Sequence, residues 1–156
     1  MLKIIQKIKG KQSRKCTEAD LPNIRALALE IKDLCGKPLL KCKGGALAIA
    51  HCQVDQNDPM RFFVMQDGSV VINPSIREYR GKPIRNNEGC MSFADCPVQI
   101  GVMRHKKIVV NCITLASPDA EEEERVGLEV TGTMAYVFQH EVDHMNGKHI
   151  FSNMIK

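Results

Sequence analysis

The sequence predicts an α+β protein, and three observations predict it. One amphipathic helix lies near the N-terminus. A run of short stretches rich in Val, Ile and Phe, separated by turn residues, fills the middle. A second helix, carrying Gln139-His-Glu-Val-Asp-His144, comes last. Strands gathered ahead of a helix that carries the chemistry make this class. At 156 residues, with 44% hydrophobic and 26% charged residues, a single domain over 1–156 with an ordinary core is expected. Aromatics are 4% and Trp is absent, so Leu, Ile, Val and Met must fill most of that core.

Composition narrows the class of function. A net charge of +4 favours polyanions slightly and identifies none. Seven cysteines are an odd number without a small-domain spacing pattern, so a reducing compartment fits better than a disulfide framework. No Cys-x-x-Cys pair suggests a zinc knuckle. No apolar run approaches the ~20 residues of a membrane span, and the first residues lack the apolar core of a secretory signal. A soluble cytoplasmic protein, with no membrane partner, is expected.

The elements follow in order. Leu2, Ile4 and Ile8 between lysines suggest a short strand. Residues 1–15 hold six basic residues and no acid. Such a run is read as a solvated face rather than a specific nucleic-acid contact, because no aromatic residues interleave for stacking. Thr17 or Asp20 can cap a helix through Ile24, Leu27, Leu29, Ile31 and Leu34, which Gly36-Lys-Pro38 stops. Small residues crowd 44–53, where backbone can approach a neighbour or ligand closely. Residues 61–65 and 69–73 read as strands around the turn 66–68, with Asn73-Pro74 ending the second. Residues 82–87 read as a loop, 98–102 and 108–115 as strands, 117–124 as a solvated acidic loop, and 125–131 as a last strand.

The final helix opens at Gly132 and Thr133 and closes at Asn146-Gly147. His140 and His144, four positions apart, project from one face and can reach one metal ion, while Glu141 can handle protons for a water on that ion. A wheel at roughly 100° per residue puts Thr133 and Val137 on the histidine face. It puts Met134, Phe138, Val142 and Met145 on a core face, and Gln139, Asp143 and Asn146 on the polar remainder. Two histidines leave a third ligand to be found. Cys90, after a glycine in a polar loop, is poorly placed for a core residue and is a plausible thiolate ligand, although by itself the position reads first as an ordinary free cysteine.

Glu88-Gly-Cys-Met-Ser92 and Gln139-His-Glu-Val-Asp-His144, in this order and at this spacing, resemble the peptide deformylase family over roughly residues 46–151. The resemblance implies small antiparallel sheets wrapped around the His-Glu-x-x-His helix, with one N-terminal helix. It implies metal ligands Cys90, His140 and His144, Glu141 as general acid and base, and Gln53 with the Met91 backbone N–H as oxyanion donors. Glu88 and Arg104 would form a supporting pair. Leu47, Val137 and the His140 ring would surround the substrate side chain, with Thr133 and Asn86 making that pocket more polar or tighter than is usual. The implied cofactor is one divalent ion, Fe2+ first and Zn2+ or Ni2+ in the same ligands otherwise. The implied substrates are formyl-methionyl nascent peptides, attacked at the formyl carbon by water activated on the ion, with release of formate. A transient ribosome contact and a monomeric state complete the expectation.

The sequence departs from the family pattern in one place. Ala46-Leu-Ala-Ile-Ala-His-Cys-Gln53 stands where Gly-x-Gly-x-Ala-Ala-x-Gln is usual, so two glycines are alanines and His51 replaces a small residue. An alanine forced into a left-handed backbone there would cost about 1–2 kcal/mol. His51 is expected to pack or hydrogen-bond rather than ligate. The twelve residues after His144 correspond to a short form without the C-terminal helix of many members. Two rival readings remain at this level: another His-Glu-x-x-His amidase or peptidase, which needs no thiolate, and a non-catalytic metal- or ribosome-binding module carried by the basic N-terminus.

Overall fold

A computed structural model describes residues 1–38, 45–94 and 99–155. Its helices are α1 (Leu21–Cys35) and α2 (Gly132–Met145); its strands are β1 (Ala48–Ala50), β2 (Phe62–Met65), β3 (Val70–Arg80), β4 (Ile84–Glu88), β5 (Ile100–Arg104), β6 (Lys107–Leu115) and β7 (Glu123–Thr131). Five strands form one antiparallel sheet in the order β1-β2-β3-β6-β7, and β4 pairs with β5 as a separate antiparallel ribbon. The α+β expectation holds.

The β1–β2 side of the large sheet is buried on both faces, and alternation along β2 shows how. Phe63 and Met65 pack with Phe138, Val142 and Met145 of α2, whereas Phe62 and Val64 pack with Ile24, Ala28 and Ile31 of α1. Successive strand side chains point to opposite faces, so a continuous apolar run is what a strand between two helices requires. Along β1, Ala48 and Ala50 belong with α2, and Ile49 with α1. Phe63 and Phe138 meet edge to face at 5.1 Å, a favoured geometry for aromatic pairs.

Six expectations need correction. Residues 2–8 form no strand; Ile5 and Lys7 bond through their N–H groups to the carbonyls of Gln53 and Ser92 instead. Asn73-Pro74 does not end β3. Asn73 adopts φ 51° and the register shifts between Ile72 and Ser75, so the proline sits at a bulge, where a strand tolerates its missing donor. The Asn73 amide exchanges two hydrogen bonds with the Cys16 backbone, at 2.8 and 2.9 Å, which fixes that bend. Residues 84–88 form β4 rather than a loop, because β5 supplies a partner for each of them. Glu123 and Glu124 belong to β7, paired with Thr114 and Ile113, so the acidic loop is shorter than expected. Met134 is 40% exposed, not core, and Gln139 is buried, not on the polar side.

The helix boundaries agree, whereas the strand expected at 98–102 is β5, Ile100–Arg104. Asp20 precedes α1 and Gly36 follows it, although Gly36 has φ −79° and makes no left-handed cap. At α2, Asn146 is the C-cap and Gly147 supplies φ +78°. Among the expected strands, Val98 lies outside the described residues. The five described cysteines are free thiols.

Candidate metal centre

Helix α2 delivers the two histidines. Its sequence has no proline or internal glycine between Thr133 and Met145, so the i, i+4 spacing brings His140 Nε2 and His144 Nε2 to 3.1 Å. Cys90 comes from the loop after β4, at the head of the 3-10 turn Met91–Phe93, and its Sγ lies 3.3 Å from His144 Nε2. The three donor atoms all fall within 4.8 Å of one another, and Cys90 and His144 are buried.

This cluster suits a divalent ion. A tetrahedral ion with metal–nitrogen distances near 2.1 Å and metal–sulfur near 2.3 Å holds its donors roughly 3.4–3.6 Å apart, close to the observed separations. His140 Nδ1 lies 2.9 Å from Glu88 Oε1, so a ring that gives its Nδ1 proton to Glu88 would have the Nε2 lone pair free for an ion. Two imidazole nitrogens and a sulfur facing one another in a largely buried site make a donor set that suits a cation. His144 Nδ1 has no hydrogen-bond partner among the described residues.

Electrostatics follow from burial and from these contacts. Burial alone would depress His140, but with no ion bound the hydrogen bonds it donates to Cys90 and Glu88 outweigh burial and hold its pKa well above the ordinary value. Burial and the neighbouring His140 charge push His144 well below it. Glu141 is 3% exposed, and one of its oxygens, Oε2, has no hydrogen-bond partner among the described residues. Burial pushes its pKa up to about 7, against the opposing pull of His140 and the Ala50 N–H.

The remaining expected residues gather around this centre. Glu88 accepts two hydrogen bonds from Arg104, both 2.9 Å, and one from Asn86, also 2.9 Å. Arg104 continues to Asp143, which also accepts from Asn153. Gln53 closes the 3-10 turn His51–Gln53; its Oε1 accepts from Ala50 N–H, and its Nε2 points at Ser92 Oγ (3.1 Å) and Cys90 Sγ (3.5 Å). Met91 begins the turn after Cys90, where a first-turn N–H has no intrahelical acceptor. Leu47, Asn86, Thr133, Val137, His140 and Glu141 all line one cleft of about 610 Å³.

The altered Ala46–Gln53 stretch is unstrained. Neither Ala46 nor Ala48 has positive φ, and the left-handed position is Gly45, at φ +71°. A Cβ on Gly45 would lie 2.5 Å from the Cys35 carbonyl oxygen. His51 is buried away from the metal cluster. Its Nδ1 accepts the Met60 N–H at 3.0 Å, and its ring stacks on Phe62.

Sequence reasoning missed four residues of the site. Tyr136 lines the cleft, and its place at i+3 from Thr133 and i−4 from His140 could have shown it. Ser92 was visible in the pentapeptide but received no role. Phe93 and Ile150 also line the cleft, and no local signal marked them.

Comparison with known proteins agrees with this geometry. The family model described as polypeptide deformylase matches residues 2–156. Peptide deformylase from Aquifex aeolicus is 44% identical over 78 residues, covering 50% of this chain and 41% of that protein. The Thermotoga maritima protein is 41% identical over 90 residues, covering 56% and 50%. The matched stretch thus spans about half the length of these curated relatives or less. The crystal structure of peptide deformylase from Thermotoga maritima superposes with a TM-score of 0.76 at 28% identity, over 100% of this chain and 99% of that one. A probable peptide deformylase from Synechococcus phage S-SSM7, 21% identical over 99% and 100%, shares the fold with a TM-score of 0.77. With its metal cluster on the same two motifs and a family match along nearly its whole length, this chain belongs to the polypeptide deformylase family.

Proposed function

We propose that the protein hydrolyses the N-terminal formyl group of formyl-methionyl nascent peptides, releasing formate and a free amine. One observation carries this reading: a cysteine sulfur and two imidazoles converge in a cleft beside a buried carboxyl group, one of whose oxygens has no partner among the described residues. A divalent ion held by Cys90, His140 and His144, Fe2+ in our reading and exchangeable with Zn2+ or Ni2+, would acidify water and polarise a carbonyl.

The protein's own groups supply the rest. Glu141, with a pKa of about 7, takes a proton from the attacking water and returns it to the leaving amine near neutral pH. Gln53 Nε2 and the Met91 N–H donate to the oxygen on which charge develops; one such donor is worth about 10²–10³ in turnover. Glu88 fixes the His140 ring, and Arg104 fixes Glu88. Leu47, Thr133, Val137 and the His140 ring receive the methionine side chain. Asn86 lines the same cleft but donates to Glu88, so it supports the metal centre as well. The protein acts as a cytoplasmic monomer with a transient ribosome contact, and reducing conditions preserve the Cys90 thiolate.

A non-catalytic module built on the basic N-terminus gains no support here. Lys11 is held by the carbonyls of Gln56 and Asn57, and Arg14 by Asp20 and Asp58. The test is formate release from a formyl-Met peptide by anaerobically purified protein. Glu141→Ala should lower it about 10²–10⁴-fold while keeping the metal. A metal-loaded wild-type protein that releases no formate overturns the reading. Peptidase activity surviving in a metal-retaining Cys90→Ser protein would replace it with a generic His-Glu-x-x-His hydrolase.

A further inference from the structure

The N-terminal segment crosses the molecule beside the two turns that carry the oxyanion donors. Three consecutive residues bond to these turns. Ile5 N–H donates to Gln53 O at 2.7 Å, on the turn His51–Gln53. Lys7 N–H donates to Ser92 O, also at 2.7 Å, on the turn Met91–Phe93. Between them, the Gln6 side chain spans the second turn: its Nε2 donates to Met91 O at 2.8 Å, and its Oε1 accepts from Ala94 N–H at 3.1 Å. Lys7 holds φ 55°, in the left-handed region that non-glycine residues rarely occupy. Such a conformation persists where the surroundings over-determine it.

We propose that Gln6 is a positioning residue for the reaction. Its amide locks the Met91–Phe93 turn while Ile5 holds the Gln53 turn, so this strap sets the spacing between the Gln53 and Met91 donors. Gln6 is solvent-exposed and bonds to backbone atoms rather than filling the core. An amide matches the task because it offers a donor to one backbone group and an acceptor to the other, which neither a carboxylate nor a thioether does. The claim rests on the deformylase reading for what the donors do, and on geometry alone for what Gln6 holds.

The experiment uses the full chain and two variants. Gln6→Met keeps an unbranched side chain of similar length and removes both hydrogen bonds; Gln6→Glu keeps the acceptor for Ala94 and removes the donor to Met91. Three readouts are taken: kcat and KM for formate release from a formyl-Met peptide, amide hydrogen exchange at Ala94, and the visible spectrum of the Co2+-loaded protein. Gln6→Met should lower kcat about tenfold with KM within about twofold, since a misplaced group costs turnover before binding. It should speed exchange at Ala94 and leave the cobalt bands unchanged. Gln6→Glu should lose kcat while Ala94 stays protected. Wild-type kcat in Gln6→Met overturns the proposal, and so does a kcat loss accompanied by shifted cobalt bands, which would put the strap on Cys90 instead of the donors. If the wild-type protein releases no formate, the deformylase reading falls, and exchange at Ala94 still tests the strap: an unchanged rate in Gln6→Met overturns it.

Discussion

Arg104→Ala removes the charge that keeps Glu88 in place. Both side chains are nearly dry, 6% and 8% exposed, and Arg104 donates to both Glu88 oxygens and to Asp143. Truncation leaves the Glu88 carboxylate buried with Asn86 and His140 as its partners. Breaking a buried pair from one side typically costs about 3–5 kcal/mol. The carboxyl itself gives a second measure. Burial would raise its pKa, yet the hydrogen bonds from His140 and Arg104 outweigh burial and lower it from 4.5 to about 2. That span corresponds to roughly 3 kcal/mol of native-state preference for the ionised form, shared between the two partners. At about 2–4 °C per kcal/mol for a domain of this size, a loss of about 3–5 kcal/mol should lower Tm by about 6–20 °C. Urea unfolding of the metal-free protein at pH 7 measures the loss directly. The sign with pH is fixed as well. A depressed carboxyl stabilises above its unfolded value and loses that stabilisation as pH falls through its folded value. The gap between wild type and Arg104→Ala should therefore be full above pH 4.5 and shrink toward pH 2. Metal affinity should drop about 10–100-fold, because Glu88 no longer holds His140 in its metal-binding tautomer. A loss below about 1 kcal/mol with unchanged metal affinity would refute this account of the pair.

Two further outcomes follow from the cleft. Gly45→Ala forces a left-handed alanine, at a cost of about 1–2 kcal/mol, and brings its Cβ to 2.5 Å from the Cys35 carbonyl oxygen. A urea midpoint unchanged by this variant would show that the turn relaxes freely. Thr133→Leu makes the exposed lip of the cleft more apolar and should shift relative rates between methionine and norleucine substrates, by up to about tenfold for contacts of this size. Identical ratios in both proteins would remove Thr133 from the specificity pocket.

How far the sequence reached depends on the range of the interaction. The pair His140 and His144 was legible because four residues of helix fix their geometry whatever the rest of the chain does. The body of β2 was legible because four apolar residues bounded by a turn suit a strand buried on both faces. Residues 84–88 read as loop because Arg85, Asn86 and Asn87 carry no strand signal of their own, and only β5 makes them one. Asn73-Pro74 read as a stop because the bulge that accommodates it is held by Cys16, 57 residues away in the chain. Gln139 read as polar surface because its partners, the His105 backbone groups, come from the β5–β6 connection.

The sequence by itself determined the fold class and the chemical identity of the centre: two imidazoles, a thiolate and a carboxylate between the histidines. These depend on residue type, short spacing and family pattern. The tertiary structure decided what each of them meets. It put Cys90 against His144 across 54 positions, set His140 Nδ1 against Glu88, and left Glu141 Oε2 buried with no hydrogen-bond partner among the described residues. It also assigned the left-handed turn to Gly45 rather than to Ala46 or Ala48, and laid Gln6 across the Met91 turn. The physical reason is the same throughout. Local spacing fixes direction along one element, whereas burial, pairing and proton position depend on neighbours that only the packed chain brings together.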